Sequence, residues 1–248
     1  MRRFFLKEAP VRGKPAVISG KEARHIIRVL RMGRGDRLIL IDPEGNRFFG
    51  IIQSLGTKSV TLAIEKPAPK PSPSPVEILL CQALLKSRAM DMVIQKASEI
   101  GVDRIIPFTS ERTVVKLDQE RFGIKRNHWE EIALSSAKQC DRTTPMKIGP
   151  LRVFQDLVSA TGDLEGLKVI LWEQERTQDL KSLLRTSSRS KKFIALVGPE
   201  GGFSSREIQL ARQAGFVPVS LGDRILRAET ASVAIATIAQ YEWGDLGG

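Results

Sequence analysis

Apolar and polar positions alternate in two different rhythms along the part of the chain that follows residue 75. Short apolar runs, typical of buried strands, are separated by stretches in which apolar side chains recur every three or four residues, typical of helices. Strand and helix repeated in this way predict an α/β domain with a mostly parallel sheet and helices on both faces. The predicted strands are 76–84, 104–108, 168–172, 193–197 and 217–221, and the predicted helices are 90–100, 129–138, 204–215 and 230–241.

Specific residues mark the ends of two of these helices. Gly101 ends the first helix, because glycine readily adopts the left-handed backbone that terminates a helix. Ser204 and Glu207 have the spacing of a capping box, in which each side chain accepts a hydrogen bond from the other residue's backbone N–H. Gly215 is expected to end that helix.

The first 65 residues read mainly as strands, with one helix between them. Segments 37–42 and 47–53 flank the turn 43–46 and predict a β-hairpin, and segment 59–65 predicts a further strand. Ser19 and Glu22 also have capping-box spacing, which predicts a helix that begins there.

This helix is predicted to have one basic and one apolar face. Arg24, Arg28 and Arg31 recur at helical spacing, where like charges repel unless a partner compensates them. The stripe predicts contact with phosphate groups, and a merely solvated face is the alternative. His25 belongs either to the basic face or to the general surface. The apolar face comprises Ala23, Ile26, Ile27 and Leu30.

Segment 66–75 separates the two patterns. It contains five prolines in ten residues, which excludes a helix or a central strand and predicts an extended spacer. We therefore expect two domains, 1–70 and 71–248, joined by this proline-rich linker.

Positive charge is concentrated in the first of these domains. Residues 1–70 carry 15 Lys and Arg against 6 Asp and Glu, whereas the whole chain of 248 residues has a net charge of +11. Such asymmetry favours a polyanionic partner that the first domain recruits. A basic surface that serves only solubility is the alternative.

Several classes of protein lose support from the residues that are missing. The chain has no GxGxxG, GxxxxGK, GxSxG or HExxH motif, and only two histidines, so we expect no metal site. Cys81 and Cys140 form no CxxC pair and are expected to be small buried hydrophobic residues. No apolar run is long enough to span a bilayer, and the basic N-terminus lacks a secretory apolar region, so we expect a cytoplasmic protein without a membrane partner.

Two glycine-bearing turns carry the strongest functional signal. Segments 196–204 and 221–231 each follow a strand-like run and lead into a helix-like run. Glycine at such a junction lets backbone N–H groups approach a ligand closely. The pair predicts a binding cleft at the carboxyl ends of the strands.

The two turns also resemble a known family. Gly198-Pro-Glu-Gly-Gly-Phe-Ser204 and Leu221-Gly-Asp-Arg-Ile-Leu-Arg-Ala-Glu-Thr-Ala231 are similar to motifs of the SPOUT superfamily of RNA methyltransferases. The branch they most resemble is RsmE-like and methylates N3 of a uridine in 16S ribosomal RNA. The resemblance implies S-adenosylmethionine as cofactor, a deep trefoil knot in the C-terminal α/β domain, a PUA-like N-terminal β-barrel, and a homodimer that acts on 16S RNA or the assembled small subunit.

The resemblance also implies roles for individual residues. Arg227 and Glu229 are expected at the reacting centre, where an arginine stabilises an anion and a carboxylate accepts a proton. A salt bridge within the knot is the alternative for both, and a helix N-terminal anchor is the alternative for Glu200. The expected cofactor-binding residues are Leu171, Trp172, Glu173, Leu196, Gly198, Pro199, Glu200, Gly201, Leu221, Gly222, Ile225, Leu226 and Arg227.

RNA contacts are expected from basic and polar residues in both domains. The other functions left open are a ribosome assembly factor that binds RNA without catalysis, and a methyltransferase with another RNA acceptor atom. The expected RNA-binding residues are Arg2, Arg3, Arg24, His25, Arg28, Arg31, Lys86, Arg112, Gln139 and Arg142.

Overall fold

The computed structural model describes residues 1–11 and 13–247, which form two compact units. The first unit comprises Met1–Ser72 together with Ala137–Thr144, and the second comprises Pro73–Ser136 and the chain from Pro145 onward. The return of segment 137–144 to the first unit had no signal in the sequence.

The first unit is built on a five-stranded sheet with the order β1-β3-β4-β5-β2. β1 pairs with β3 in parallel and the other pairs are antiparallel. The predicted hairpin is confirmed, since β3 and β4 flank a turn in which Asp42 accepts hydrogen bonds from Asn46 N at 2.7 Å and Asn46 Nδ2 at 2.9 Å. The strands are β1 Arg3–Phe5, β2 Ala16–Ser19, β3 Arg37–Ile41, β4 Arg47–Leu55 and β5 Ser59–Pro67.

The helix after Ser19 differs from the prediction. It consists of α1, Gly20–Arg24, continued by a π-helical turn, His25–Val29. Ser19 makes no side-chain cap, and Glu22 pairs instead with Lys138 Nζ at 2.6 Å, so the predicted capping box is wrong. Arg31 lies beyond the helix at φ 50°, and the stripe of three arginines is reduced to Arg24 and Arg28.

Asp141 joins the returning segment to the first unit's sheet. Its Oδ1 forms ion pairs with Arg3 Nε at 2.5 Å and with Arg47 Nη2 at 3.1 Å. Because Arg47 is buried and shielded from water, the Asp141 carboxylate compensates its positive charge.

The second unit contains a seven-stranded parallel sheet, which confirms the predicted parallel arrangement. The strand order is β12-β10-β11-β6-β7-β8, and β9 also pairs with β7. These strands are β6 Glu77–Ala83, β7 Arg104–Thr109, β8 Lys147–Ile148, β9 Arg152–Val153, β10 Leu167–Leu171, β11 Lys192–Val197 and β12 Val217–Val219.

Two hydrophobic cores lie against this sheet. Along β11, Phe193, Ala195 and Val197 join one core, while Ile194 and Leu196 join the other, because successive side chains point to opposite faces. Apolar faces of the surrounding helices cover both sides. The remaining helices are α2 Ser87–Ile100, α3 Gln119–Gln139, α4 Phe154–Gly162, α5 Leu180–Thr186, α6 Ser205–Gln213 and α7 Ala228–Trp243.

The predicted helix ends hold in this unit, while several boundaries move. Gly101 ends α2 at φ 101°, and Ser204 and Glu207 form the expected capping box of α6. α3 begins ten residues before the predicted position, and β12 ends at Val219 rather than at residue 221. The sequence did not reveal β1, β2, β8, β9, α4 or α5, most of which are too short to show a clear period.

Two further expectations concern single features. Segment 68–74 of the predicted linker has no regular secondary structure, but Lys66 and Pro67 still belong to β5.

The two cysteines differ in burial. Cys81 is buried as expected, which raises the pKa of its thiol, whereas Cys140 is only half-buried. Among the described residues, no helix has the length and apolarity required to cross a bilayer.

Candidate functional site

A cleft of about 1200 Å³ opens in the second unit where β6, β10, β11 and β12 end. Carboxyl ends of parallel strands meet at one edge of a sheet, and ligands bind in the crevice outside them. The cleft contains twelve of the thirteen expected cofactor-binding residues, together with Lys86 and Glu229.

Leu196 is the exception and requires a correction. Its side chain is fully buried in the second hydrophobic core, on the face of β11 opposite to that of Val197, which lines the cleft. An uninterrupted apolar run does not tell which face each residue takes, so the sequence pattern offered no signal for this difference.

The loop between β11 and α6 begins at a glycine without free space. A Cβ atom on Gly198 would lie 3.1 Å from the ring of Phe203. That ring is buried and packs against Phe108 and Phe154, with centroid separations of 6.3 Å and 5.6 Å. The loop therefore approaches the cleft closely because position 198 has no side chain.

The same loop is held at its other end by Glu207 and Arg112. Glu207 Oε2 accepts from Ser204 N at 2.9 Å, and Oε1 accepts from Glu111 N at 2.9 Å. Arg112 Nη1 donates to Gly201 O at 3.0 Å. Arg112, expected to bind phosphate, thus uses one guanidinium nitrogen to support the wall of the cleft.

The loop after β10 folds around a carboxylate that the sequence analysis did not identify. Glu175 is buried, and its Oε1 accepts from Thr177 Oγ1 at 2.6 Å and from Thr177 N at 2.8 Å. Arg212 pairs with Oε2 at 3.2 Å. The hydrogen bond from the Thr177 hydroxyl is the main cause that holds the pKa of Glu175 below its ordinary value, so this group is ionised at neutral pH.

Arg227 and Glu229 lie where the loop between β12 and α7 enters α7. Arg227 is the N-cap residue with extended backbone, and Glu229 is in the first helical turn, where the helix dipole favours a negative charge. Both line the cleft, with Arg227 exposed and Glu229 half-buried. Ser232 Oγ donates to Gln82 on β6, which ties the start of α7 to the sheet.

Cations that sequence reasoning missed also line the cleft. Arg88 belongs to α2, Arg176 to the loop after β10, and Arg224 to the loop between β12 and α7. Arg224 belongs to segment 221–231, whose motif could have indicated its position at the cleft. No motif in the sequence indicated that Arg88 and Arg176 would line the cleft. The cleft thus offers several positive groups around its glycine-rich walls.

The residues expected to bind RNA are divided between the two units. In the first unit Arg2, Arg24, His25, Arg28, Arg31 and Gln139 are exposed, and Arg142 is half-buried. Arg3 is engaged with Asp141 and also donates to Lys138 O at 3.2 Å. In the second unit Lys86 lies on the cleft, and Arg112 contacts Gly201 as described.

A cleft of this kind at the carboxyl ends of a parallel sheet, with glycine-rich loops and several cationic side chains in its walls, is typical of an α/β protein that binds an anionic ligand. Residues 72–240 match the family model described as an RNA methyltransferase domain, and residues 18–65 match an RNA methyltransferase PUA domain. The chain therefore belongs to the RNA methyltransferase family.

Curated relatives match along nearly the whole chain. It is 33% identical to the ribosomal RNA small subunit methyltransferase E of Buchnera aphidicola subsp. Schizaphis graminum, over 92% of this chain and 91% of that protein. It is 27% identical to the protein of the same name from Bacillus subtilis, over 98% of this chain and 97% of that protein.

Solved structures of similar proteins contain a methyl donor. A methyltransferase from Legionella pneumophila in complex with bound SAM is 32% identical, with a TM-score of 0.90 and 98% of each chain covered. A ribosomal RNA small subunit methyltransferase E from Neisseria gonorrhoeae bound to S-adenosyl methionine is 30% identical, with a TM-score of 0.88 and 99% of each chain covered.

Proposed function

We propose that this protein transfers the methyl group of S-adenosylmethionine to N3 of a uridine in 16S ribosomal RNA. The observation that carries the proposal is the convergence of two glycine-bearing loops and the loop after β10 on one cleft that Arg227 and Glu229 also line. The names of the relatives support a small-subunit ribosomal RNA target, and the bound SAM in two similar structures supports the donor.

The residues of the cleft fit this donor. Gly198 lines the cleft without a side chain, so an adenine or ribose group can approach its backbone. Trp172 Nε1 is buried without a hydrogen-bond partner among the described residues, which leaves a donor for a ligand acceptor. When bound, S-adenosylmethionine supplies a methyl group that its sulfonium charge already activates.

The chain's own residues then need to position the acceptor and remove one proton. Glu229 is proposed to take the proton from N3 of the uridine, and Arg227 to stabilise the negative charge that develops on the base. N3 lies on the Watson–Crick edge, so the target uridine must be unpaired and reach the cleft as a flipped or single-stranded base.

Further properties are part of the same proposal. We propose that the first unit is a PUA-like barrel that binds RNA, with residues 1–70 as this domain and 71–248 as the methyltransferase domain, in a cytoplasmic protein. A trefoil knot is supported by the chain path, since β12 lies beside β10, away from β11, and α7 then packs on β11 and β6. A homodimer is supported by exposed apolar side chains on α2 and α7, namely Met92, Ile238 and Tyr241.

A methyl-transfer assay tests the proposed function. The full chain is incubated with 16S RNA or with small subunits and methyl-labelled S-adenosylmethionine, and the RNA is digested to nucleosides. We expect the label in N3-methyluridine. Label on a ribose 2′-oxygen or on guanine N1 would contradict the acceptor atom. RNA binding without donor binding or transfer would favour the assembly-factor function.

Replacing Arg24, Arg28 and Arg31 together by alanine should flatten the salt dependence of RNA binding. Each lost phosphate contact reduces the slope of log K against log salt concentration by about 0.7–0.9, because fewer counterions are released. The measurement is a salt titration of RNA affinity. Arg37→Ala is the matched control, since Arg37 already pairs with Glu65 at 3.2 Å. An unchanged slope in the triple variant would show that these arginines are only solvated.

A further inference from the structure

We infer that Glu175 is a positioning residue that shapes the donor-binding wall of the cleft, although its own carboxylate does not line the cleft. The inference rests on the proposed function, because it concerns the donor of that reaction. It depends on three features of the loop after β10: the hydrogen bonds that Glu175 collects, the neighbours that these bonds orient, and its tie to α6.

The first feature is the number of donors that converge on one oxygen. Besides Thr177, Glu175 Oε1 accepts from Arg176 N at 3.0 Å and from Gln178 N at 3.3 Å. Successive backbone N–H groups therefore point inward at a single buried carboxylate. Without the Glu175 carboxylate, these backbone N–H groups would lack their acceptor, and the curled conformation of the loop would be destabilised.

The second feature is what the curled loop presents to the cleft. Trp172 and Glu173, on one side of Glu175, and Arg176, on the other, all line the cleft. The Trp172 indole N–H is buried without a hydrogen-bond partner among the described residues, and the Trp172 residue borders the cleft. Trp172 and Glu175 are also joined directly, because Glu175 N donates to Trp172 O at 3.1 Å.

The third feature joins this loop to the glycine-bearing loop between β11 and α6. Arg212, which pairs with Glu175 Oε2 at 3.2 Å, belongs to α6, the helix that follows that glycine-bearing loop. The two loops also meet directly, since a Cβ atom on Gly202 would lie 3.0 Å from Glu173 Oε1. Glu175 therefore fixes two walls of the cleft relative to each other, and its loss should weaken donor binding specifically.

The experiment compares Glu175→Ala and Glu175→Gln with the wild-type full chain. Calorimetry measures the Kd of S-adenosylmethionine and S-adenosylhomocysteine, a binding assay measures the Kd of RNA, and kcat is taken at saturating donor. We expect Glu175→Ala to raise the donor Kd about tenfold or more, as the loss of hydrogen bonds to a charged group predicts. The RNA Kd and the saturated kcat should not change.

Glu175→Gln should have a smaller effect on the donor Kd. Its amide oxygen can still accept from the loop N–H groups, while its NH₂ group would face Arg212. Thr177→Val removes the 2.6 Å hydrogen bond and should also raise the donor Kd. If Glu175→Ala fails to fold, the Glu175→Gln and Thr177→Val variants keep the inference testable, because each retains most of the loop's hydrogen bonds.

Asp103→Asn is the matched control. Asp103 accepts from Ile78 N at 2.9 Å near the start of β6, at the edge of the sheet opposite to the cleft. It should lower the melting temperature without changing the donor Kd. A donor Kd that Glu175→Ala leaves unchanged would overturn the inference. So would a donor Kd that rises in Asp103→Asn as much as in Glu175→Ala, since the effect would then follow stability. Wild-type protein that binds neither donor would overturn the proposed function together with this inference.

Discussion

Gly198→Arg should abolish binding of S-adenosylmethionine and S-adenosylhomocysteine while leaving RNA binding nearly intact. Any side chain at position 198 starts 3.1 Å from the ring of Phe203, which packs against Phe108 and Phe154 in the core and leaves little room on that side. Because Gly198 lines the cleft, we expect the long arginine side chain to occupy the volume that the donor needs. Calorimetric titration with each ligand measures the loss.

The control for this substitution is Gly123→Arg. Gly123 lies in α3, where an added Cβ atom would meet nothing within 4 Å and where the backbone is one that any residue accepts. The same added side chain should therefore be harmless there. Thermal melting of both variants checks that Gly198→Arg is folded. Equal donor affinity in wild type and in folded Gly198→Arg would overturn the placement of the donor pocket.

Glu229→Gln should lower kcat by about 10²–10⁴, the usual contribution of a general base, with an unchanged donor Kd. Glutamine keeps the size of the side chain and the helix start but does not accept the N3 proton. The alternative that Glu229 serves a structural salt bridge has little support, because none of the described residues forms an ion pair with it. Steady-state kinetics with RNA and calorimetry with the donor separate the two effects.

Glu242→Gln is the matched control, since Glu242 lies exposed near the other end of the same helix. It should leave kcat unchanged. A Glu229→Gln variant with wild-type kcat would exclude Glu229 as the proton acceptor. A variant that loses stability and donor affinity together would instead assign Glu229 a structural role.

The sequence also predicted that two segments would border a cleft, because the two glycine-bearing turns are local features. A glycine between a strand and a helix can be recognised from a few neighbouring residues, so the sequence was enough to predict that Gly198, Gly201 and Gly222 line the cleft. The same holds for the capping box of Ser204 and Glu207. At Ser19 an identical spacing failed, because Gly20 adopts φ 69° and Glu22 pairs with Lys138, a residue distant in the sequence.

Local patterns by themselves thus determined the alternation of strands and helices that is typical of a parallel sheet, the ends of α2 and α6, and the two turns at the cleft, since each of these depends on residues close in sequence. Only the tertiary structure decided that Leu196 faces the second core, that Arg112 supports Gly201, and that Glu175 gathers its loop around a buried carboxylate. These outcomes depend on which distant segments pack together, and a buried apolar run or an isolated charge looks the same in the sequence whichever partner it meets.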